Sequence, residues 1–450
     1  MRTLGWKSFL LLLLFSCKKF TLEDVQPHLV THELKWVKHF GGSLEDVAHA
    51  VIQTRDGGFA FLGNTKSTDF DLRDKTREGS DLLLVKYTAD GELAWSKTYG
   101  GSQDERGHAL VQMPDGGYAL LGYAMSSDGD LSDNAGQHDN WVVRVDAQGE
   151  LLWQHSYGFS GHDHAYNIIA TQDGGLFFNG FLDVTSSGGL GTTAKGNSSS
   201  SRHGVGEFWC HKIDATGKLE WRRYYGGTNN DRSYDAIETP EGGFVVVGTT
   251  ESTDVDISSP QGDYDVWVIA LDGSGNMLWE RSLGGSNYDG ANAIVLDEEN
   301  RLHVFGNTFS QDKHIAAPLG ASDFWLVSLN LQGELLSEKT FGGSNFDLGR
   351  DLIITNNTHF WLTGYSRSQD LDLSNNKGNN DVALLQLDAH YFPLQSFSLG
   401  GSGQDLAHAL VEWGEGGILV VGSSESNDHA FENNRGDKDV FLAFWHAISE

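Results

Sequence analysis

The sequence predicts an all-β protein, a seven-bladed β-propeller whose blades are four-stranded antiparallel sheets. Three observations carry this prediction. A Gly-Gly-Ser-like motif recurs seven times, at intervals of 58 to 68 residues. Short apolar runs between the motifs are bounded by Asp-Gly or Gly-Gly turns, which is typical of strands, and no stretch shows sustained helical periodicity. The last repeat ends one strand short, and a matching strand stands near the amino terminus.

Each repeat carries two acidic positions besides its glycines. The motifs begin at Gly41, Gly100, Gly158, Gly226, Gly284, Gly342 and Gly400. Five positions later stand Asp46, Glu105, Asp163, Asp231, Asp289, Asp347 and Asp405. A second acid precedes an apolar run at Asp81, Asp139, Glu207, Asp265, Asp323, Asp381 and Asp439. Four-stranded sheets that repeat along a chain in this way bury their faces against neighbouring copies, as in a propeller. An open solenoid, the alternative, usually has shorter repeats and needs capping ends.

The strands of the fourth repeat illustrate the assignment. They are predicted at 234–238, 244–250, 266–271 and 276–283. The segment 32–36, HELKW, matches GELAW at 91–95, so residues 34–40 are predicted to supply the outer strand of the blade formed by 403–448. This pairing closes the ring and leaves no large terminal edge.

The amino terminus has the features of a secretory signal. Arg2 and Lys7 precede a short apolar run, too short to span a bilayer. The tetrad Leu-Phe-Ser-Cys ending at Cys17 resembles a bacterial lipobox, which implies a signal peptide at 1–16, a lipidated Cys17 and a tether over 17–31, followed by the propeller at 32–450. Lys18 after the cysteine resembles the sorting signal for the outer membrane, on its periplasmic side or at the cell surface. An ordinary cleaved signal is the alternative.

The charge composition argues against one class of partner. Lys and Arg number 31 against 62 Asp and Glu, so the formal net charge is −31. Nucleic acid is excluded as the expected partner, because phosphate binding needs a basic surface. The hydrophobic fraction of 39% is sufficient for a substantial core, and two cysteines cannot make a disulfide framework.

The whole repeat resembles a known family. The pattern is Trp-x-x-x-x-Gly-Gly-Ser, an acid, Asp-Gly-Gly, an apolar strand, a Ser-x-Asp loop and Asp-x-Trp, and it covers nearly the entire chain after the signal. It is similar to the bacterial β-propeller repeats of secreted and surface proteins. The resemblance implies a propeller outside the cytoplasm and no common enzymatic activity, so function must be argued from sites.

Loop lengths predict a working face. The tight Asp-Gly-Gly and Asp-x-x-Gly turns fall on one side of the disc by strand alternation. The motif loops and the longer loops after each second strand fall on the other, and long loops on a rigid scaffold commonly bind ligands. The third repeat extends its long loop over residues 183–206 with a Gly/Ser-rich sequence. It is either a lid or binding loop, or a tolerated insertion.

A ring of polar side chains is predicted at the channel mouth, three residues after the first acid of each repeat. It comprises His49, His108, Tyr166, Tyr234, Asn292, Arg350 and His408. Ring closure makes the three histidines neighbours, so a three-histidine metal site is one interpretation. Hydrogen bonding within or between blades is the other.

Aspartates in the Ser-x-Asp loops are the candidate calcium ligands, because closely spaced carboxylates suit a hard cation. They are Asp69, Asp71, Asp81, Asp128, Asp130, Asp133, Asp139, Asp254, Asp256, Asp265, Asp370, Asp372 and Asp381. No other cofactor is indicated. Structural Asx turns are the alternative role for the same residues.

Repeated tryptophans are predicted to pack between blades rather than bind sugars. They stand at two repeat positions: Trp36, Trp95, Trp153, Trp221 and Trp279, and Trp141, Trp209, Trp267 and Trp325. Cys210 is predicted to be a buried thiol.

Three classes of function remain open from the sequence. The favoured one is a non-catalytic binding or scaffold lipoprotein of the cell envelope, attached to the membrane by its lipid, with a carbohydrate or an envelope protein on the long-loop face. A polysaccharide hydrolase or lyase using loop carboxylates is the second, although no carboxylate pair at catalytic separation is specified. A structural component of the envelope is the third.

Overall fold

Seven four-stranded antiparallel sheets follow one another around a ring in the computed structural model, which describes residues 30–192, 203–204, 206–355 and 358–448. The signal peptide, Cys17 and most of the tether lie outside the described residues. Blade 1 contains β2 (Asp46–Gln53), β3 (Phe59–Thr65), β4 (Asp81–Tyr87) and β5 (Leu93–Tyr99). Blade 2 contains β6 (Glu105–Gln112), β7 (Tyr118–Ala124), β8 (Asp139–Val145) and β9 (Leu151–Tyr157). Blade 3 contains β10 (His164–Ala170), β11 (Leu176–Leu182), β12 (Glu207–Ile213) and β13 (Leu219–Tyr225).

The remaining blades repeat the arrangement. Blade 4 contains β14 (Asp231–Glu238), β15 (Phe244–Thr250), β16 (Asp265–Leu271) and β17 (Met277–Leu283). Blade 5 contains β18 (Asp289–Leu296), β19 (Arg301–Thr308), β20 (Asp323–Asn330) and β21 (Leu335–Phe341). Blade 6 contains β22 (Asp347–Ile354), β23 (Phe360–Ser366), β24 (Asp381–Leu387) and β25 (Pro393–Leu399). Blade 7 contains β26 (Asp405–Trp413), β27 (Gly417–Ser424) and β28 (Asp439–Ile448). The fold class is the predicted seven-bladed propeller.

The first strand closes the ring as predicted. β1 (Thr31–Phe40) pairs antiparallel with β28, from Thr31 opposite Ile448 to Phe40 opposite Val440. Blade 7 therefore has the order β1-β28-β27-β26. Phe40 is fully buried in a cluster that combines blades 7 and 1. Because β1 joins the two ends of the ring, no four-stranded blade is left incomplete.

The core lies between the blades rather than within one sheet. The second and third strands of every blade are buried almost throughout, because each sheet has a neighbour on both faces. Trp141, Trp209, Trp267 and Trp325 are fully buried, which confirms packing as their role. The tryptophans at the other repeat position pack their indole rings against a turn glycine of the next blade, as Trp153 packs against Gly217.

Within the described residues, no helix is long and apolar enough to cross a bilayer. The described helical structure consists of two three-residue 3₁₀ turns, Phe70–Leu72 and His429–Phe431, both in long loops. Cys210 is buried in β12, which confirms the prediction of a buried thiol, and this enclosure raises the pKa of the thiol.

Candidate functional site

The long loops and the motif loops lie on one face of the disc, which we call the long-loop face. In blade 1, the Ser43 amide donates to Asp69 Oδ1 at 2.8 Å and the Leu44 amide donates to Ser67 Oγ at 2.9 Å. Equivalent bonds recur in blades 2, 4, 5, 6 and 7, as between the Ser344 amide and Asp370 Oδ1. The tight turns occupy the opposite side, which we call the turn face. The predicted division of the loops between two faces is therefore correct.

The predicted calcium ligands brace the motif loops. Asp69, Asp128, Asp254 and Asp370 each accept a bond from the amide of the third motif residue. Asp71, Asp130, Asp256 and Asp372 each accept one from the amide of the first motif glycine. Asp133 is exposed in its loop. These bonds fit the structural alternative, and calcium binding at the same residues stays a prediction.

The remaining predicted ligands, Asp81, Asp139, Asp265 and Asp381, are buried at the start of the third strands. Each faces the first acid of the next blade across a motif glycine. A Cβ on Gly284 would lie 2.5 Å from Asp289 Oδ2 and 3.0 Å from Asp265 Oδ1. Loss of hydration in this enclosed position, together with the nearby charge of Asp289, raises the pKa of Asp265 to about 6. The glycine is needed because two buried carboxyl groups occupy the space of a side chain.

The polar ring exists, and its seven members share a feature that the sequence did not predict. Each is the bulge residue of an innermost strand, where the register with the second strand shifts by one residue. A bulge interrupts the alternation of side chains and redirects one of them. The bulge residues are His49, His108, Tyr166, Tyr234, Asn292, Arg350 and His408.

The ring residues contact one another from blade to blade. The rings of His408 and His49 are 5.1 Å apart between centroids, and those of His49 and His108 are 5.0 Å apart. The series continues from His108 to Tyr166 and from Tyr166 to Tyr234, at 5.1 and 5.3 Å. The pKa of His49 falls to about 4, chiefly because burial disfavours the charged ring and secondly because Arg350 is near.

Hydrogen bonds account for part of this ring. His49 Nε2 lies 3.2 Å from Asn64 Oδ1 in the same blade, and the Asn292 side chain donates to the Gly349 carbonyl oxygen of the next blade at 2.7 Å. Two channel carboxyls that sequence reasoning missed follow the ring residues of blades 4 and 6. Asp235 accepts a bond from the Ile294 amide, and Asp351 accepts one from the Leu410 amide. These bonds tie blade 4 to blade 5 and blade 6 to blade 7.

A second histidine cluster, also missed from the sequence, lies on the long-loop face between blades 2 and 3. It consists of His138, His162 and His164, and their ligand atoms lie within 4.8 Å of one another. In the part of the chain that the structure describes, no other group gathers three ligand atoms of metal-binding type. A sequence signal could have revealed this cluster. Histidine stands at three positions where the other repeats carry other residues.

The surroundings of this cluster favour the neutral imidazole at His138 and His164. The ring of Tyr123 stacks on that of His164 at 4.0 Å between centroids. Burial, together with the neighbouring histidines, lowers the pKa of His164 to about 3. The pKa of His138 is lowered for the same two reasons. A neutral imidazole carries a lone pair on one nitrogen, so both side chains can act as acceptors or ligands.

An open polar groove of about 450 Å³ lies on the long-loop face around blade 6. It is lined by Ser344, Asn345, Arg367, Gln369, Asn376, Gly378 and Asn379. A related groove of about 390 Å³ lies at blade 2, beside Arg77 and Asp128. A third groove, of about 360 Å³, lies on the turn face and is lined in part by Leu296, Ile354 and Phe360.

The described part of the insertion leads toward the outer edge of blade 3. The Trp209 indole donates to the Gly191 carbonyl oxygen at 2.9 Å, and Thr192 lies in a depression beside Arg223 and Tyr225 of the outermost strand. Residues 193–202 and 205 lie outside the described residues. A lid or binding role for the insertion stays a prediction.

No protein-family model matches the chain. A curated relative is Regulatory protein FlaEY of Caulobacter vibrioides, 23% identical over 347 residues that cover 68% of this chain and 35% of that protein. The chain thus spans about a third of the length of that relative.

Two solved structures show similarity over most of their length. The Pan2 WD40 domain of Neurospora crassa has 9% identity and a TM-score of 0.49, covering 94% of this chain and 98% of that one. Sqt1 of Chaetomium thermophilum has 9% identity and a TM-score of 0.46, covering 93% and 100%. The fold assignment rests on the strand pairing of this chain itself.

Proposed function

We propose that this protein is a non-catalytic binding module of the cell envelope that holds a carbohydrate on its long-loop face. The observation that carries the proposal is the polar groove around blade 6. Its walls offer the amides of Asn345, Gln369 and Asn379 and the guanidinium of Arg367, all exposed. Amide and guanidinium groups supply the donors and acceptors that sugar hydroxyl groups require.

Exposed aromatic surface adjoins these amides. Phe346 is 39% exposed, and the Arg367 guanidinium lies 5.9 Å from the centre of its ring. An aromatic face beside polar groups suits the apolar face of a sugar ring together with its hydroxyl groups. The relation to a protein described as regulatory supports a role other than catalysis.

The course of β1 supports an orientation for a lipid-anchored protein. β1 ends at Phe40, directly before the motif loop at Gly41, so Thr31 lies at the turn face. His32 Nε2 is 3.0 Å from the carbonyl oxygen of Gly416, a turn-face residue. A lipid on Cys17, as proposed from the lipobox, would attach through at most roughly 50 Å of chain. The long-loop face would then point away from the membrane and toward its ligand.

A glycan array tests ligand binding directly. Wild-type protein is expected to bind a defined subset of glycans, and Gln369→Ala and Asn379→Ala are expected to weaken that binding. Gln332→Ala, an exposed amide on the turn face, serves as the matched control and should bind as wild type does. Binding equal in all variants, or binding of envelope proteins with no glycan bound, would reject the carbohydrate proposal. Turnover of a bound polysaccharide would instead favour the hydrolase or lyase.

The anchor needs a separate experiment. Cells fed an alkynyl fatty acid are expected to label the full-length protein, and Cys17→Ser is expected to remove the label. Fractionation of the labelled cells would then assign the outer membrane. Unlabelled wild-type protein would refute lipidation without affecting the binding proposal.

A further inference from the structure

The histidine cluster between blades 2 and 3 is held by the backbone rather than by its own side chains. The amides of Gln137 and His138 both donate to the Gly161 carbonyl oxygen, at 3.1 and 3.2 Å, and the Asp163 amide donates to the His138 carbonyl oxygen at 2.8 Å. These bonds form a short parallel bridge between His138 and His162. The bridge joins the end of the blade 2 long loop to the motif loop of blade 3. Both histidines therefore stand on a fixed frame.

Strand alternation brings the third histidine to the same side. His162 and His164 are separated by one residue, and successive side chains of an extended chain point to opposite sides. Asp163 between them is fully buried and accepts bonds from the amides of Phe159 and Asp183. His162 and His164 thus lie on the side of the chain opposite to Asp163, and His138 contacts them from the adjoining loop.

The same bridge recurs at other junctions with different side chains. It joins Tyr264 to Tyr288, Ser322 to Phe346, and Asn380 to Gln404. Histidines are therefore not required to build the junction. Three of them together in one junction, on residues that the fold leaves free to vary, point to a role beyond folding.

The nitrogen positions are close to those of a metal site. His138 Nδ1 lies 2.8 Å from His164 Nε2 and 3.0 Å from His162 Nδ1. Zinc binds imidazole nitrogen at about 2.0–2.1 Å in tetrahedral geometry, which separates two such nitrogens by roughly 3.3 Å. Around an ion, these two separations would have to widen by a few tenths of an ångström, and the widest separation in the cluster, up to 4.8 Å, would have to shorten. Rotation of exposed His162 provides that freedom.

We propose that His138, His162 and His164 bind one divalent transition-metal ion, zinc in the first instance, with a fourth position open to solvent on the long-loop face. Imidazole is a ligand that zinc, copper and nickel share, whereas calcium and magnesium prefer oxygen. The open position takes water or a small anionic ligand. Arg106 and Arg232 lie near the cluster, and their positive charge favours an anion there.

Zinc titration of the full chain tests the site. Protein stripped with chelator is titrated with zinc chloride by calorimetry, and metal content is measured after gel filtration. We expect one zinc per chain in wild type and an affinity lowered by at least about 100-fold in His162→Ala and in His164→Ala. His390→Ala, an exposed histidine in a turn on the other face, should retain wild-type binding. Cobalt added in place of zinc should give the visible absorption of a tetrahedral site in wild type only.

Folding of each variant is checked by circular dichroism and thermal unfolding in chelator. His162→Ala removes an exposed side chain and is expected to unfold as wild type does, so loss of zinc from it reports the site itself. Wild type that takes up no zinc at about 10 μM would overturn the proposal. Zinc binding unchanged in both His162→Ala and His164→Ala would overturn it as well, by assigning the ion to other residues. Neither result bears on glycan binding at blade 6.

Discussion

The junctions between blades 2 and 3 and between blades 4 and 5 have the same backbone and different side chains. The parallel bridge joins His138 to His162 at one and Tyr264 to Tyr288 at the other. The paired rings lie 4.7 and 5.3 Å apart. Beneath both lies a motif glycine against buried carboxyl groups. The repeat therefore specifies the junction through its glycine and its acids, and it leaves the surface residues available for function.

Removing the strand that closes the ring should have the largest effect, because it leaves blade 7 one strand short and opens the core between blades 7 and 1. Deletion of residues 31–40 takes away the partner of β28 and buried Phe40. We expect the melting temperature to fall by many degrees, or soluble protein to be lost, since a long strand edge is exposed. Thermal unfolding followed by circular dichroism measures it. Deletion of residues 20–28 is the length control, and equal melting temperatures in the two deletions would contradict ring closure.

Changing the shared glycine should damage both junctions alike. In Gly158→Ala the new Cβ would lie 2.1 Å from Asp139 Oδ1, and in Gly284→Ala it would lie 2.5 Å from Asp289 Oδ2. We expect each substitution to lower the free energy of unfolding by about 1–3 kcal/mol, because the site is already filled. Denaturant unfolding measures the change. Gly206→Ala, whose Cβ would have no contact under 3.5 Å, is the control. A loss of stability in only one of the two variants would show that the glycine does not have the same role at both junctions.

The carboxyl group at the blade 4–5 junction should make stability depend on pH. The pKa of Asp265 is raised to about 6 from an ordinary value of 3.8, mainly by burial. The folded state therefore binds its proton more tightly than the unfolded state, and this group's contribution to stability falls as pH rises from about 4 to about 6. Asp265→Asn should remove that fall, so the variant gains on wild type by about 2 kcal/mol between pH 4 and pH 7.5.

Free energies of unfolding at the two pH values measure this gain. Asp263→Asn is the control because Asp263 is exposed two residues away in the same loop. A difference between Asp265→Asn and wild type that stays constant with pH would show that Asp265 has no raised pKa.

Exchanging the variable residues should have the smallest effect on stability. The double substitution His138→Tyr with His162→Tyr gives the blade 2–3 junction the side chains of the blade 4–5 junction. We expect the free energy of unfolding in chelator to change by no more than about 0.5 kcal/mol, as for surface positions outside special structural features. Zinc binding should be lost at the same time. A large loss of stability would mean that the histidines themselves build the junction.

Spacing of the motifs was sufficient to predict the number of blades, because one repeat of about 58 residues supplies four short strands and their turns. It also predicted that residues 34–40 complete the last blade, since the segment HELKW copies the outer strand of a complete repeat. The polar ring was predicted by its residues but not by its cause. A bulge at His49 or Arg350 depends on a register shift between paired strands, which a single sequence does not display.

The repeat pattern was therefore enough to predict the periodic part of the protein. That part comprises the seven blades, the closure of the ring, the buried tryptophans and the division of the loops between the two faces. Periodic residues report the fold because each copy has to meet the same neighbours. The meeting of His138, His162 and His164 is visible only in the folded protein, since His138 comes from another blade and 24 positions separate it from His162. Their meeting depends on a bridge between two loops, and contacts between adjacent blades are formed by folding and not by proximity along the chain.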